Sequence, residues 1–393
     1  MKVTISVIGR FWAFNLADQL HKRGYLRRLI TTYPKFEAVK YGIPRSHIAS
    51  HLPVELLSRA WHRTPSWVKK HHNAQLSIHN ATDLCASFRI PEDSNVFVGW
   101  SSVSLWSLRK AKRYGAVTVL ERGSSHMRYQ TRLLLEEHER FGWKLPFTHP
   151  GVHDKELQEY EETDYIAVPS LFVKRTFLEE GVPEAKLLHN PFGVDLASFN
   201  PIPKEDKTFR IIHCGNITFQ KGVHYLLQAF SELKLPDAEL WLIGYLSDEL
   251  RPLLKKWDNG KILHKGPYPQ RELYKYYSQG SVFCLASIQE GLAQVIPQAM
   301  ACGLPIICTT NTGGEDMVRN GQDGFIVPIR DVDALKEKLV LLYEDSQLCK
   351  SMGESARERV SGRYSWDHYG ENAVRHYREI LALKAGRQTR QLS

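Results

Sequence analysis

Short β-branched and apolar runs separated by segments of helical periodicity constrain this chain more than any other feature. VTISVIG (3–9), LITTY (29–33), NVFVGW (95–100), AVTVLE (116–121) and YIAVPS (165–170) form a first series. FRIIHCG (209–215), ELWLIG (239–244), KILHKG (261–266), SVFCLAS (281–287), PIICTT (305–310) and GFIVP (324–328) form a second. Strands that alternate with helices are joined by crossovers rather than hairpins, which predicts doubly wound α/β architecture with parallel sheets. Between the series lies NPFGVDLASFNPIPKEDKTFR, rich in proline and charge and poor in apolar periodicity, as a linker should be. A chain of 393 residues, 42% hydrophobic, is long enough for two cores. The expected domains are residues 1–200 and 201–365, and a last helix at about 366–384, after a break at Gly362 and Tyr364 to Trp366, is expected to pack back on the first. In open parallel sheets ligands bind outside the carboxyl ends of the strands, so two such domains place a site in the cleft between them.

Composition narrows the function classes. The six cysteines (85, 214, 284, 302, 308, 349) form no CxxC pair and no metal-like cluster with histidine, which fits a reducing compartment. The opening MKVTISVIGRFW has too short an apolar run for a signal-peptide core and reads as a first strand; no segment approaches a bilayer span. The expectation is a cytoplasmic protein, at most peripheral at the inner face of a membrane. A net charge of +9 favours phosphate-bearing ligands or anionic surfaces. The basic residues are scattered, without zinc-finger spacing or an aromatic RNA-binding pattern, which argues against nucleic acid. WHRTPSWVKKHH (61–72) and the tail KAGRQTRQLS suit a membrane surface, or equally a solvated one.

Three segments of the second series carry chemistry. In HCGNITFQKGVHYLLQAFSEL (213–233), a strand, a turn at Gly215 and Asn216, and Lys221-Gly222 lead into a helix with apolar residues at 223, 226, 227 and 230. Free backbone N–H groups at a helix N-terminus together with a lysine suit a phosphate. Glu290-Gly291 follows SVFCLAS, so the carboxylate projects at the carboxyl end of a strand; a helix-capping role is the competing reading. Gly313-Gly314 follows PIICTT and supplies another backbone-lined turn at the same edge. The one D-x-D, Asp331 to Asp333, opens the helix DVDALKEKL and reads as a cap rather than a metal site.

G-x5-K-G, E-G-x6-[EQ]-A-M-A-C-G-x-P, T-G-G-E-D and N-G-x-D-G-F together resemble the family 4 retaining glycosyltransferases of the GT-B fold, glycosyl transferases group 1. The likeness extends to YEETDYIAVPSLFVKRTFLEEGVPEAKLLHNPFGVDLASFNP (160–201), is strong from about 160 to 340 and is weak before 120. It implies two Rossmann-like domains, the first binding the acceptor and the second a nucleotide diphosphate sugar. By the resemblance Lys221 holds the donor diphosphate, Glu290 the donor-sugar hydroxyls, and the backbone of Gly291 and Leu292 the sugar or phosphate. No metal or other cofactor is implied. The expected activity is transfer of a hexose, with retention, to a glycan or lipid-linked acceptor in polysaccharide or glycoconjugate assembly.

This sequence departs from the family pattern at three places. Asn216 stands where an arginine is common, five residues before the lysine; the E-x7-E motif ends in Gln298; and Arg122-Gly123, with His126 nearby, replaces a His-Gly pair. Arg122 or Arg10 is expected to supply the missing charge, with Arg122 and His126 counted among the catalytic candidates. Gln298 retains hydrogen bonding to a ribose diol without charge assistance. Base selection is assigned to the backbone around KGPYPQ (265–270). The competing readings are a non-catalytic sugar-nucleotide or glycan-binding protein, and a sugar-nucleotide epimerase or phosphorylase of the same fold.

Overall fold

The computed structural model describes residues 1–64, 73–145, 148–361 and 363–392; the stretch at 61–72 lies outside these residues from position 65 onward, as does Gly362. The first series forms β1 (Val3–Val7), β2 (Leu26–Thr31), β3 (Ile48–Ser50), β4 (Val96–Trp100), β5 (Val117–Glu121), β6 (Tyr165–Val168) and β7 (Leu187–His189). These pair, all parallel, in the order β3-β2-β1-β4-β5-β6-β7. The second series forms β8 (Phe209–Cys214), β9 (Ala238–Ile243), β10 (Ile262–Gly266), β11 (Val282–Leu285), β12 (Ile306–Thr309) and β13 (Gly324–Val327), in the parallel order β10-β9-β8-β11-β12-β13. Every residue of β1, β4, β5, β11 and β12 is buried. Helices covering both faces of a parallel sheet explain why these strands read as continuous apolar runs instead of alternating ones.

Strand order reverses at β1, which lies between β2 and β4, and at β8, which lies between β9 and β11. Chains leaving such neighbouring strands on opposite faces open a crevice at the carboxyl ends. Here the segment after β1 and the helix Val295–Ala301 after β11 both line a cleft of about 2330 Å³.

The helix Trp366–Leu392 returns to the first domain and packs on the helix Ala13–Lys22. Tyr369, Ala373, Tyr377 and Ile380 are buried at intervals of four, four and three residues, one helical face; each large side chain removed from water contributes about 1.5–3 kcal/mol. Arg23 Nη2 adds an ion pair to Asp367 at 2.7 Å.

Contact between the domains is also made elsewhere. The helix Met127–Arg140 belongs to the first half of the chain, yet Leu133, Tyr129 and the following Phe141 pack into the core of the second domain, where Phe141 stacks on Phe219 at 5.0 Å. The fully buried Glu137 takes His224 Nε2 at 2.7 Å on one oxygen and Arg330 Nε at 2.7 Å on the other. His138 Nε2 lies 3.3 Å from Glu249, and His189 Nε2 2.7 Å from Asp316. Each of these pairs joins a residue of the first half of the chain to one of the second. Among the described residues no helix is long and apolar enough to cross a membrane.

Candidate active site

The turn after β8 is fixed by contact with the next strand's exit. Gly222 has a left-handed φ of 60°, and a Cβ there would sit 1.8 Å from the carbonyl oxygen of Ala286, so only glycine lets the loop lie against the end of β11. That approach carries Lys221 to Glu290: the ammonium donates to Glu290 Oε1, with the side chains 22% and 12% exposed. Ser287 Oγ donates to the same carboxylate at 2.9 Å, and the Glu290 amide donates to Asn311 O at 2.9 Å. Glu290 is therefore held by a side chain on each flank. No helix N–H bonds to its carboxylate among the described residues, which removes the capping reading.

His213 lies on β8 behind the loop. Its Nδ1 is 3.3 Å from Cys284 O, and its buried Nε2 has no partner among the described residues. A Cβ on Gly215 would lie 3.7 Å from Lys221 Cε and 4.0 Å from His213 Nε2, so ring, glycine and ammonium adjoin one another. Burial, followed by the charge of Lys221, pulls the His213 pKa down to about 4. The ring is neutral at pH 7.

The backbone of the next segment is equally crowded. A Cβ on Gly291 would come 1.8 Å from Gly123 O, and one on Gly313 2.9 Å from Gly291 O. Ser170 Oγ donates to Gly291 O at 2.6 Å, and Gln289 Nε2 to Ser124 Oγ at 2.7 Å. Gly291, Leu292, Gly313 and Gly314 thus form a glycine-lined seam where the domains meet beside Glu290. Gln298, 3% exposed, lines the large cleft together with Tyr268 and Gln270 from the KGPYPQ stretch; Tyr277 Oη reaches Gln298 Oε1 at 3.5 Å. Lys221 and Glu290 are not among the residues lining that cleft.

Arg122 and His126 flank the Gly123-Ser124 segment that touches the seam. Arg122 Nη1 pairs with the buried Glu156 at 2.9 Å, while its Nη2 donates to Ser125 O at 2.8 Å and Gln130 Oε1 at 2.8 Å. Its charge is paired inside the first domain in this structure. His126 is the N-cap of the helix Met127–Arg140, its Nδ1 accepting from Arg128 N at 3.3 Å, and its ring packs 4.9 Å from those of Tyr160 and Phe177. Burial and the neighbouring Arg122 hold its pKa down at about 4. Its Nδ1 is thus taken up by the helix cap and its ring by aromatic packing. Arg10 does line the cleft, its Nη1 donating to Tyr41 Oη at 2.8 Å.

One acid escaped the sequence reading. Glu121, at the end of β5, accepts Trp12 Nε1 at 3.0 Å and Tyr369 Oη at 3.3 Å; burial raises its pKa to about 7. Its only signal was an acidic residue closing an otherwise apolar strand. Asp331 Oδ1 accepts Ala334 N at 2.8 Å and caps the helix Val332–Glu344, as its position before that helix implied.

Comparison with known proteins shows what this architecture is similar to. Residues 196–359 match the model of the family described as Glycosyl transferases group 1. They are similar to a group 1 glycosyltransferase domain. CapM of Staphylococcus aureus, a capsular polysaccharide biosynthesis glycosyltransferase, is 31% identical over 188 residues, 46% of this chain and 48% of CapM. A GDP-mannose-dependent monoacylated phosphatidylinositol monomannoside mannosyltransferase of Corynebacterium glutamicum is 26% identical over 304 residues, 71% of this chain and 75% of the relative. The matched stretch thus spans about half of the first relative and three quarters of the second. Among solved structures, sucrose-phosphate synthase of Thermosynechococcus elongatus superposes with a TM-score of 0.65 at 17% identity, covering 98% of this chain and 100% of that one. HepE of Anabaena, solved with UDP and glucose, gives 0.69 at 13% identity, covering 96% and 100%. The fold is GT-B, two Rossmann-like domains facing across a cleft.

Proposed function

We propose that this protein is a group 1 glycosyltransferase that moves a hexose, with retention and without a metal, from a nucleotide diphosphate sugar to a glycan or lipid-linked acceptor in polysaccharide or glycoconjugate assembly. The observation that carries the reading is the Lys221–Glu290 pair at the carboxyl ends of β8 and β11, beside the glycine seam. A diphosphate arriving at the loop exchanges Glu290 for phosphate oxygens as the partner of Lys221. Glu290 is then released to accept hydroxyls of the donor sugar, with Ser287 keeping its orientation. Gly291 offers backbone to that sugar, and its close approach to Gly123 O leaves no room for a side chain there.

As the glycosyl bond breaks, negative charge grows on the leaving phosphate and positive charge on the sugar ring. Lys221 and the N-terminus of the helix Val223–Leu233 stabilise the first, and the Glu290 carboxylate lies near the second. In retention the acceptor approaches on the leaving-group face, where the departing phosphate takes its proton, so no protein base is obligatory. Gln298 in the cleft is assigned to the ribose and the Tyr268–Gln270 stretch to the base.

The reading is tested by incubating the protein with UDP-, GDP-, ADP- and dTDP-sugars, measuring nucleoside diphosphate release, and determining the anomeric configuration of the product by NMR. Release from one donor with a retained anomer is expected. Asn216 and Gln298, which lack the charges usual at their positions, favour a second reading, a sugar-nucleotide binder without turnover. Thermal stabilisation by a donor with no nucleotide release would establish it.

A further inference from the structure

The loop that joins β1 to the helix Ala13–Lys22 carries an aromatic residue where glycine would be easier to place. Arg10 O accepts the Ala13 amide at 3.2 Å, which closes a four-residue turn. Phe11, second in that turn, has φ 41°, and Trp12, third, has φ −90° and ψ 3°. A positive φ at the second place alone is the type II′ pattern, in which glycine is favoured there and any side chain is strained. The Phe11 ring gains little burial in return: it is 59% exposed and meets Trp12 edge-on at 5.9 Å. Gly9, Arg10, Phe11 and Trp12 all line the cleft.

Strain of this kind persists only where the surroundings hold both flanks. At one end the Gly9 amide donates to Thr32 Oγ1 at 2.8 Å, and Gly9 O accepts Thr31 Oγ1 at 2.6 Å. At the other, Trp12 Nε1 donates to Glu121 Oε2 at 3.0 Å, while Tyr369 Oη donates to Oε1 of the same carboxyl at 3.3 Å. The Trp12 ring lies over Gly123, where a Cβ would come 2.2 Å from Cη2, and packs 4.3 Å from Phe192. Glu121 is 3% exposed and its two hydrogen-bond partners are neutral donors. A carboxyl buried without a cation is costly. Two costs, the strained turn and the buried acid, therefore meet at the bond between Trp12 and Glu121.

We propose that Glu121 is a positioning residue: by holding Trp12 it keeps the loop 9–12 in its strained form and so presents the Phe11 ring to the acceptor substrate in the cleft. Naming that ligand as the acceptor rests on the transferase reading, in which the second domain holds the nucleotide; the anchoring of the loop does not. Both protonation states of Glu121 serve, since the acid accepts Trp12 Nε1 on its carbonyl oxygen and donates to Tyr369 Oη. Glutamine offers the same pair of groups, and leucine offers neither.

The first test is a double-mutant cycle in thermal melts of the full chain, with Phe11→Gly, Glu121→Leu and the two together. The unfolded chain responds to glycine equally in both backgrounds, so the difference between the two shifts reports the strain alone. Phe11→Gly is expected to change the melting temperature more favourably, by a few degrees, in wild type than in Glu121→Leu, where the loop relaxes without it. Trp12→Phe, which cuts the bond from the loop side, takes the place of Glu121→Leu if that variant does not fold. The second test is isothermal titration with octyl glucoside, octyl mannoside and octyl galactoside. Wild type is expected to bind at least one of them, Phe11→Gly and Glu121→Leu to weaken it by about tenfold, the scale of a well-placed aromatic contact, and Glu121→Gln to restore it. The matching methyl glycoside binding on the same residues names the sugar face as the group on Phe11; binding of the octyl compound alone names its alkyl chain. Equal shifts in the cycle, no glycoside bound by wild type, or glycoside binding untouched by both variants overturns the proposal. Nucleotide release by the same wild-type preparation keeps the two readings apart: release without glycoside binding sinks this inference alone, and glycoside binding that depends on Phe11 and Glu121 without release sinks only the transferase.

Discussion

Lys221 and Glu290, 69 residues apart in the chain, form one ion pair at the junction of the loop after β8 and the glycine seam. Each therefore holds the other's charge, and under the proposed function donor binding exchanges these partners. Substitution should be costly for turnover and cheap for the fold. Partly exposed ion pairs contribute about 0–1 kcal/mol, so Glu290→Gln is expected to shift the melting temperature by no more than a few degrees. Transfer should fall by about a hundredfold, mostly in kcat. Lys221→Ala, which removes a preorganised charge at the leaving phosphate, should lose on the order of a hundredfold to a thousandfold. A Glu290→Gln protein that melts far lower yet turns over normally would return Glu290 to a structural role.

Metal dependence follows from the same inventory. No group of three or more histidine, cysteine or acidic side chains suited to a metal occurs among the described residues, and Asp331 of the D-x-D caps a helix. EDTA is expected to leave nucleotide release unchanged. Loss of activity restored by Mg²⁺ or Mn²⁺ would place a cation at the diphosphate after all.

Glu137 tests the join between the domains. Its carboxylate is fully buried between His224 and Arg330, and removing one partner of a buried ionic cluster typically costs about 3–5 kcal/mol because the other charge is stranded. Glu137→Ala should lower the urea midpoint correspondingly. A change near zero would mean that Arg330 finds water at no cost and that the cluster is incidental to stability.

The pH dependence of stability has a definite sign at His213. Its folded pKa of about 4 lies below the ordinary 6.5, so the unfolded chain takes the proton first. Stability is fully present above pH 6.5 and falls as pH drops toward 4, by roughly 2 kcal/mol at pH 5 from the linkage of 1.36 kcal/mol per unit. Glu121, raised to about 7 by burial, acts in the opposite direction: its contribution is full below about 4.5 and is lost as pH rises through 7. The comparison must therefore be made between wild type and His213→Gln in denaturant melts at pH 7 and 5. The variant should lose less stability than wild type over that range; an identical loss would mean that His213 stays neutral in neither state or in both.

The parallel architecture was legible because strands covered on both faces by helices carry long apolar runs. β3 and β7 were not, since three residues at a sheet edge, IAS and LLH, hold too few apolar positions to show a period. The lysine, the acid and the glycines of the site could be read because local turns dictate them. Arg122 and His126 could not be placed, because their partners Glu156, Tyr160 and Phe177 are more than thirty residues away and no local pattern announces the pairing.

The chain passes between the domains twice, once in the linker after β7 and once before the helix Trp366–Leu392, and the two passages touch. Val194 N donates to Tyr364 O at 2.7 Å, and a Cβ on Gly193 would lie 2.5 Å from Trp366 Cα. Covalent crossings fastened side by side act as a pivot. They place both covalent connections on one line, so a rotation of one domain against the other is expected to turn about that line. A side chain at position 193 would wedge that pivot, altering the rate of opening without touching a substrate.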